Sequence, residues 1–172
     1  MRGAPTSPSR VFTLRAPVVG YTRPRVYGYL LFVHSWVRWA LLGVGVLSFF
    51  TSLNGGRAWS RRDRRLSSAF VGLGDLQLLL GLWLWLFASP LTHLAFSERL
   101  LFKGAPFTFF GLFHPALMLG ALFFLHVQHA RQRKSPLVSR WRDTSFIWLC
   151  LVALAVPWPF WSFGRDLFRG FP

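Results

Sequence analysis

Six ionisable side chains lie in stretches of this chain that are otherwise apolar: His34 and Arg38, Asp75, and His114, His126 and His129. In apolar surroundings such groups are unfavourable unless they are paired or used, so each is a candidate functional residue. His34 lies seven residues into the apolar run 27–50, and His114 seven residues into the run 107–130. At about 1.5 Å per residue, both stand about 10 Å from the same end of a bundle in which these two helices run parallel. Two imidazoles at one level on two helices of a bundle are the arrangement that grips the iron of haem b from both sides. His34 and His114 are therefore the expected metal ligands. Gly43, Gly45 and Gly111 would let a flat macrocycle approach the backbone, and Phe32, Trp36, Phe110 and Phe113 would cover its edges. The alternative is structural. A histidine near a helix end can simply hydrogen-bond a neighbouring span, and a helix starting at Pro115 would leave His114 as its cap.

The other polar groups have readings of their own. Arg38 and Asp75 fall at depths about 3 Å apart on antiparallel helices, which predicts a buried ion pair. Such a pair is weak evidence for stability, but losing one partner is costly. The functional alternatives make Asp75 a proton relay, or turn Arg38 toward a haem propionate. His126 and His129 lie in the last turns of their run, where imidazole complements the helix dipole. His126 is twelve residues from His114, about 120° around the helix, so the two do not share a face. It is expected to bond Asp75 or Gln77, or to serve a second, inner haem with a non-histidine ligand.

The elements that must position these groups follow from composition. Of 172 residues, 53% are hydrophobic and only 15% charged, with 19 Phe and 9 Trp. A soluble domain carries about 25% charged residues, so a soluble enzyme with a charged shell is excluded. Cys150 is the only cysteine, which excludes an internal disulfide and a cysteine metal cluster. Four stretches are long enough for bilayer-crossing helices, at residues 27–50, 66–88, 107–130 and 145–163. The expected fold is an all-α, integral membrane four-helix bundle over residues 27–172, preceded by a Pro/Arg-rich arm at 1–26. Asn54-Gly55-Gly56, Ser89-Pro90, Pro106, Pro157 and Pro159 mark the helix ends.

The net charge of +15 comes from 20 Lys and Arg against 5 Asp and Glu. The cations gather in the gaps: Arg57, Arg61, Arg62, Arg64 and Arg65 in one, and Arg131, Arg133, Lys134, Arg140 and Arg142 in another. These two loops are expected on the inner side, with both termini outside. Arginine loops of this kind set topology and touch anionic lipid. Nucleic-acid binding is not expected, because the aromatics lie in the spans rather than on a basic face. There is no glycine-rich phosphate loop, no hydrolase His-Glu motif, no paired carboxylates and no soft copper site.

Several segments together resemble bacterial four-span membrane proteins described as cytochrome b-like. They are His34-Ser35-Trp36-Val37-Arg38-Trp39, Arg64-Arg65-Leu66, Asp75-Leu76-Gln77-Leu78-Leu79-Leu80-Gly81, Phe109-Phe110 before His114-Pro115, and His126-Val127. The series ends in Pro157-Trp158-Pro159 and Arg165-Asp166-Leu167-Phe168-Arg169. The resemblance implies a multi-pass protein of the bacterial inner membrane, with His34 and His114 as haem ligands and His126 as a further candidate. It departs at Leu112-Phe113, where members of that family tend to carry an acid.

Two functions are expected to compete. One is a b-type haem protein passing electrons, with quinone as a lipid-soluble partner. The other is a non-catalytic accessory subunit of a larger respiratory or photosynthetic complex, for which the aromatic surface, the apolar fourth span and the N-terminal arm provide contacts.

Overall fold

The computed structural model describes residues 24–162 together with 164, 166, 168 and 170. The arm therefore lies outside the described residues up to position 23. Its last three positions belong to the first helix, α1, Pro24–Thr51, which starts on a proline whose missing N–H is no loss in a first turn.

The second helix, α2 (Arg61–Trp83), begins five residues before the apolar run does. Its start is set by a capping box: the Ser60 side chain accepts from the Asp63 N–H at 3.2 Å, and Asp63 accepts from the Ser60 N–H at 2.9 Å. The helix continues through a π-helical turn, Leu84–Ala88. It stops at Ser89, whose extended backbone is what the following Pro90 demands.

Expected as a loop, the outer connection is partly helical. Ser89 caps a short helix, α3 (Pro90–Ser97), by accepting from the Thr92 N–H at 3.3 Å. One turn, α4 (Ala105–Thr108), and a π-helical turn, Phe109–Phe113, then lead without a break into α5, His114–Gln132. Together they form a 28-residue apolar rod. His114 is therefore inside a continuous rod and does not cap a loop.

The last helix, α6, runs Ser139–Ala155, which corrects the expected span at 145–163. It starts earlier, so Arg140 and Arg142 ride on its first turns, and it ends earlier because Val156 precedes Pro157 and turns extended. Its 17 residues rise about 26 Å.

The described residues are all-α, and among them three helical rods are long and apolar enough to cross a membrane: Arg25–Thr51, Arg61–Ala88 and Ala105–Gln132. The chain is a multi-pass membrane protein by that measure. α1 packs on α2, α2 on α5, α5 on α6, and α6 back on α1, so α1 and α5 stand diagonally across the bundle. At the centre, Phe70 is fully buried and meets Trp148 and Trp141 edge to face, with ring centroids 4.6 and 6.1 Å away. Toward the basic end the packed residues become small and polar. Ser48, Ser52, Ser67 and Ser145 are all buried, and small side chains of this kind let membrane helices approach closely. The outward surface is the reverse of a soluble protein's: Leu79, Phe50, Leu154 and Phe123 are exposed, Phe123 by 73%.

The two basic loops are clasped to one another. Trp59 N–H donates to the Pro136 carbonyl at 2.9 Å, and Ser139 N–H to the Gly55 carbonyl at 3.1 Å. Arg57 reaches the buried carboxylate of Asp63 with both terminal nitrogens and also donates to the Thr51 carbonyl at 2.7 Å. The carboxylate raises the Arg57 pKa above its ordinary value. One member of the first basic loop's arginine cluster thus ties the end of α1 to the start of α2.

Candidate functional site

A cavity of about 130 Å³ lies in the half of the bundle away from the basic loops, between the diagonal helices. Its lining includes His34 and Arg38 from α1, Gln77 and Gly81 from α2, Trp85 from the π turn, and His114 from α5. The structure thus brings His34 and His114 together: their ring centroids are 6.4 Å apart and their planes are inclined at 68°.

Each imidazole is held by a neighbour that the local sequence supplies. Gln77 Nε2 donates to His34 Nε2 at 3.1 Å. His34 Nδ1 then carries the proton, and it is buried without a hydrogen-bond partner among the described residues, as is Gln77 Oε1. Gly81, one turn beyond Gln77, forms the seat. A Cβ there would stand 3.2 Å from His34 Cε1, closer than ordinary contact.

On the other side, His114 Nδ1 donates to the Ala155 carbonyl at 2.7 Å. In a continuing helix that carbonyl would be taken by the N–H of residue 159, which is a proline. The break at the end of α6 therefore creates the acceptor that orients His114. A second proline acts in the same way. Pro115 has no N–H for the Gly111 carbonyl, and Trp85 Nε1 donates to that carbonyl at 3.0 Å. In the π turn before it, the His114 N–H bonds to the Phe109 carbonyl, a departure that is frequent at functional sites.

The expected Arg38–Asp75 pair is not formed. Asp75 and Gln77 are two residues apart, about 200° around α2. With Gln77 turned inward to His34, Asp75 faces the flank next to α5, where His126 Nε2 lies 2.8 Å from its Oδ1. Arg38 instead lines the cavity one turn along from His34, with its Cζ 5.2 Å from the centre of the Trp39 ring. His126, the further candidate ligand, lies outside the cavity with Asp75, separate from the other two histidines. His129 packs against Trp141, with ring centroids 5.7 Å apart. Among the described residues, no group of three His, Cys, Asp or Glu side chains could hold a metal ion.

The glycines expected to flank a macrocycle face elsewhere. Gly45 packs against Phe70 and Leu149, and Gly111 against Leu101, while Gly43 has open space around it. Of the expected aromatics, Phe110 lines the cavity, whereas Trp36 and Phe113 are exposed. Gly81, Trp85 and the Ala155 carbonyl complete the site. The signal for the last two was in the sequence, since each of Pro115 and Pro159 frees the carbonyl four residues before it.

No family model, no curated protein and no solved structure matches this chain.

Proposed function

We propose that the chain is a b-type haem protein of the bacterial inner membrane, with His34 and His114 as the two axial ligands. The observation that carries this reading is the 6.4 Å between the two ring centroids across one cavity. With metal–nitrogen bonds of about 2 Å, two imidazoles on one iron have centroids about 6.3 Å apart. The seat at Gly81 holds the His34 ring in place, and iron binding there would use Nε2 in place of its bond to Gln77, with Nδ1 keeping the proton. The resemblance to cytochrome b-like proteins points the same way. Bound haem would supply one-electron transfer, and quinone in the bilayer is the fitting lipid-soluble partner.

The chain's own residues orient and enclose. The Ala155 carbonyl fixes the His114 tautomer with its proton on Nδ1, leaving Nε2 as the basic nitrogen; this is the support a metal-bound histidine usually has. Gly81 seats the His34 ring, and Arg38 brings a positive charge to the same chamber. A porphyrin is larger than a cavity of about 130 Å³, so lining side chains such as Leu31, Leu82 and Met118 must move to admit it. In this reading α6 crosses the bilayer as the fourth span, both termini lie outside, and the clasped basic loops lie inside.

The second reading is a non-catalytic subunit of a larger membrane complex. Its specific support is that both imidazoles already tie helices together, His34 to Gln77 and His114 to Ala155. An absorption spectrum of the purified protein separates the two. The haem reading expects a Soret band and a reducible α-band, both lost in His34→Ala and in His114→Ala. A colourless, folded protein purified from haem-replete cells contradicts it.

A further inference from the structure

Asp75 and His126 form a hydrogen-bonded pair at 2.8 Å on the outer wall of the bundle, where α2 and α5 meet. Their side chains are 46% and 48% exposed. Asp75 stands ten residues from Arg65 and His126 five residues before Arg131, about 15 and 7 Å from the basic end, so the pair lies within the basic-end half of a hydrocarbon core about 30 Å thick. Ionisable groups at such depth normally face a bundle interior or a water-filled cavity. This pair faces outward. Among the described residues, Asp75 Oδ2 and His126 Nδ1 take no further hydrogen bond. Gly72, three residues before Asp75 on the same face of α2, is exposed, and a Cβ there would meet nothing within 4 Å.

We propose that this face is where two copies of the chain associate in the membrane, each Asp75 bonding to His126 of the second copy. The argument for a second copy is charge complementarity. Two copies inserted with the same topology are related by a two-fold axis along the membrane normal, so every residue of the patch meets the other patch at its own depth. A patch that holds one acid and one imidazole in contact is complementary to itself across that axis. With both imidazole nitrogens protonated, Nε2–H donates to the carboxylate of its own chain and Nδ1–H to Asp75 of the second copy. The two carboxylates and two imidazolium rings then form a closed, neutral ring of hydrogen bonds. Gly72 allows the two α2 backbones to approach. An apolar partner helix would leave the spare carboxylate oxygen and imidazole nitrogen unmet.

The association does not depend on haem, so its failure leaves the proposal for His34 and His114 untouched. The test is oxidative cross-linking of the full chain in lipid vesicles, with Gly72→Cys in a Cys150→Ser background. Gly43→Cys, on an equally open position of α1, is the reference. Covalent dimers are expected through position 72 and about tenfold fewer through position 43. Adding Asp75→Leu and His126→Leu to the Gly72→Cys chain is expected to lower cross-linking by about tenfold, the size of one to two interhelical polar contacts. Equal cross-linking at positions 72 and 43 overturns the proposal, as does cross-linking that persists in a folded double-leucine variant. If that variant does not fold, the comparison of positions 72 and 43 decides alone.

Discussion

At the scale of single residues, two carbonyls freed by prolines organise the cavity. The Ala155 carbonyl takes His114, and the Gly111 carbonyl takes the Trp85 indole. Trp85→Phe removes one donor and leaves that carbonyl unpaired, which should destabilise the protein by about 1–2 kcal/mol; denaturant unfolding in detergent would measure it. Gly81→Ala places a methyl group against the His34 ring and should weaken ligand binding to the cavity more than it lowers the Tm. Depth counting set His34 and His114 at one level, and the structure places their rings side by side. The same counting misassigned the partner of Asp75, because height along a helix says nothing about azimuth. Gln77 and Asp75 share nearly the same depth, yet they look in opposite directions.

At the scale of elements, the long apolar runs and their proline stops were legible, and the short polar devices were less so. Nothing in hydropathy marks α3, whose eight residues depend on Ser89 serving first as the end of α2 and then as a cap. The start of α2 was hidden in an arginine cluster that reads as topology alone. Its Ser60–Asp63 capping box and the Arg57 clasp are local hydrogen-bond chemistry, which charge counting does not resolve. Asp63 is 5% exposed while Arg57 is about a third exposed. Asp63→Ala should therefore cost about 2 kcal/mol, less than a fully buried pair would. Thermal unfolding should show this, and Arg57→Ala should produce much of the same loss. The central aromatic cluster belongs to this scale too. Phe70→Ala opens a cavity beneath Trp141 and Trp148 and should cost about 3 kcal/mol or more.

At the scale of the whole molecule, the bundle has an apolar exterior, a small cavity at one end and clasped basic loops at the other. The expected orientation puts the loop carrying Lys103 outside and the loop carrying Arg133 inside. With Cys150 replaced by Ser, a membrane-impermeant thiol reagent applied from outside should label Lys103→Cys and spare Arg133→Cys; the reverse pattern would invert the topology. The last helix, α6, was the element least legible in sequence. Its apolar stretch is cut by Pro157 and Pro159, and the helix ends early so that one of its carbonyls can serve the site. The central claim, that two histidines diagonal to each other grip one iron, is tested most directly by electron paramagnetic resonance of the oxidised protein. Paired imidazoles predict a low-spin, six-coordinate ferric signal that His34→Ala and His114→Ala each abolish. A high-spin signal in the unmodified chain, or no haem signal at all, would contradict it.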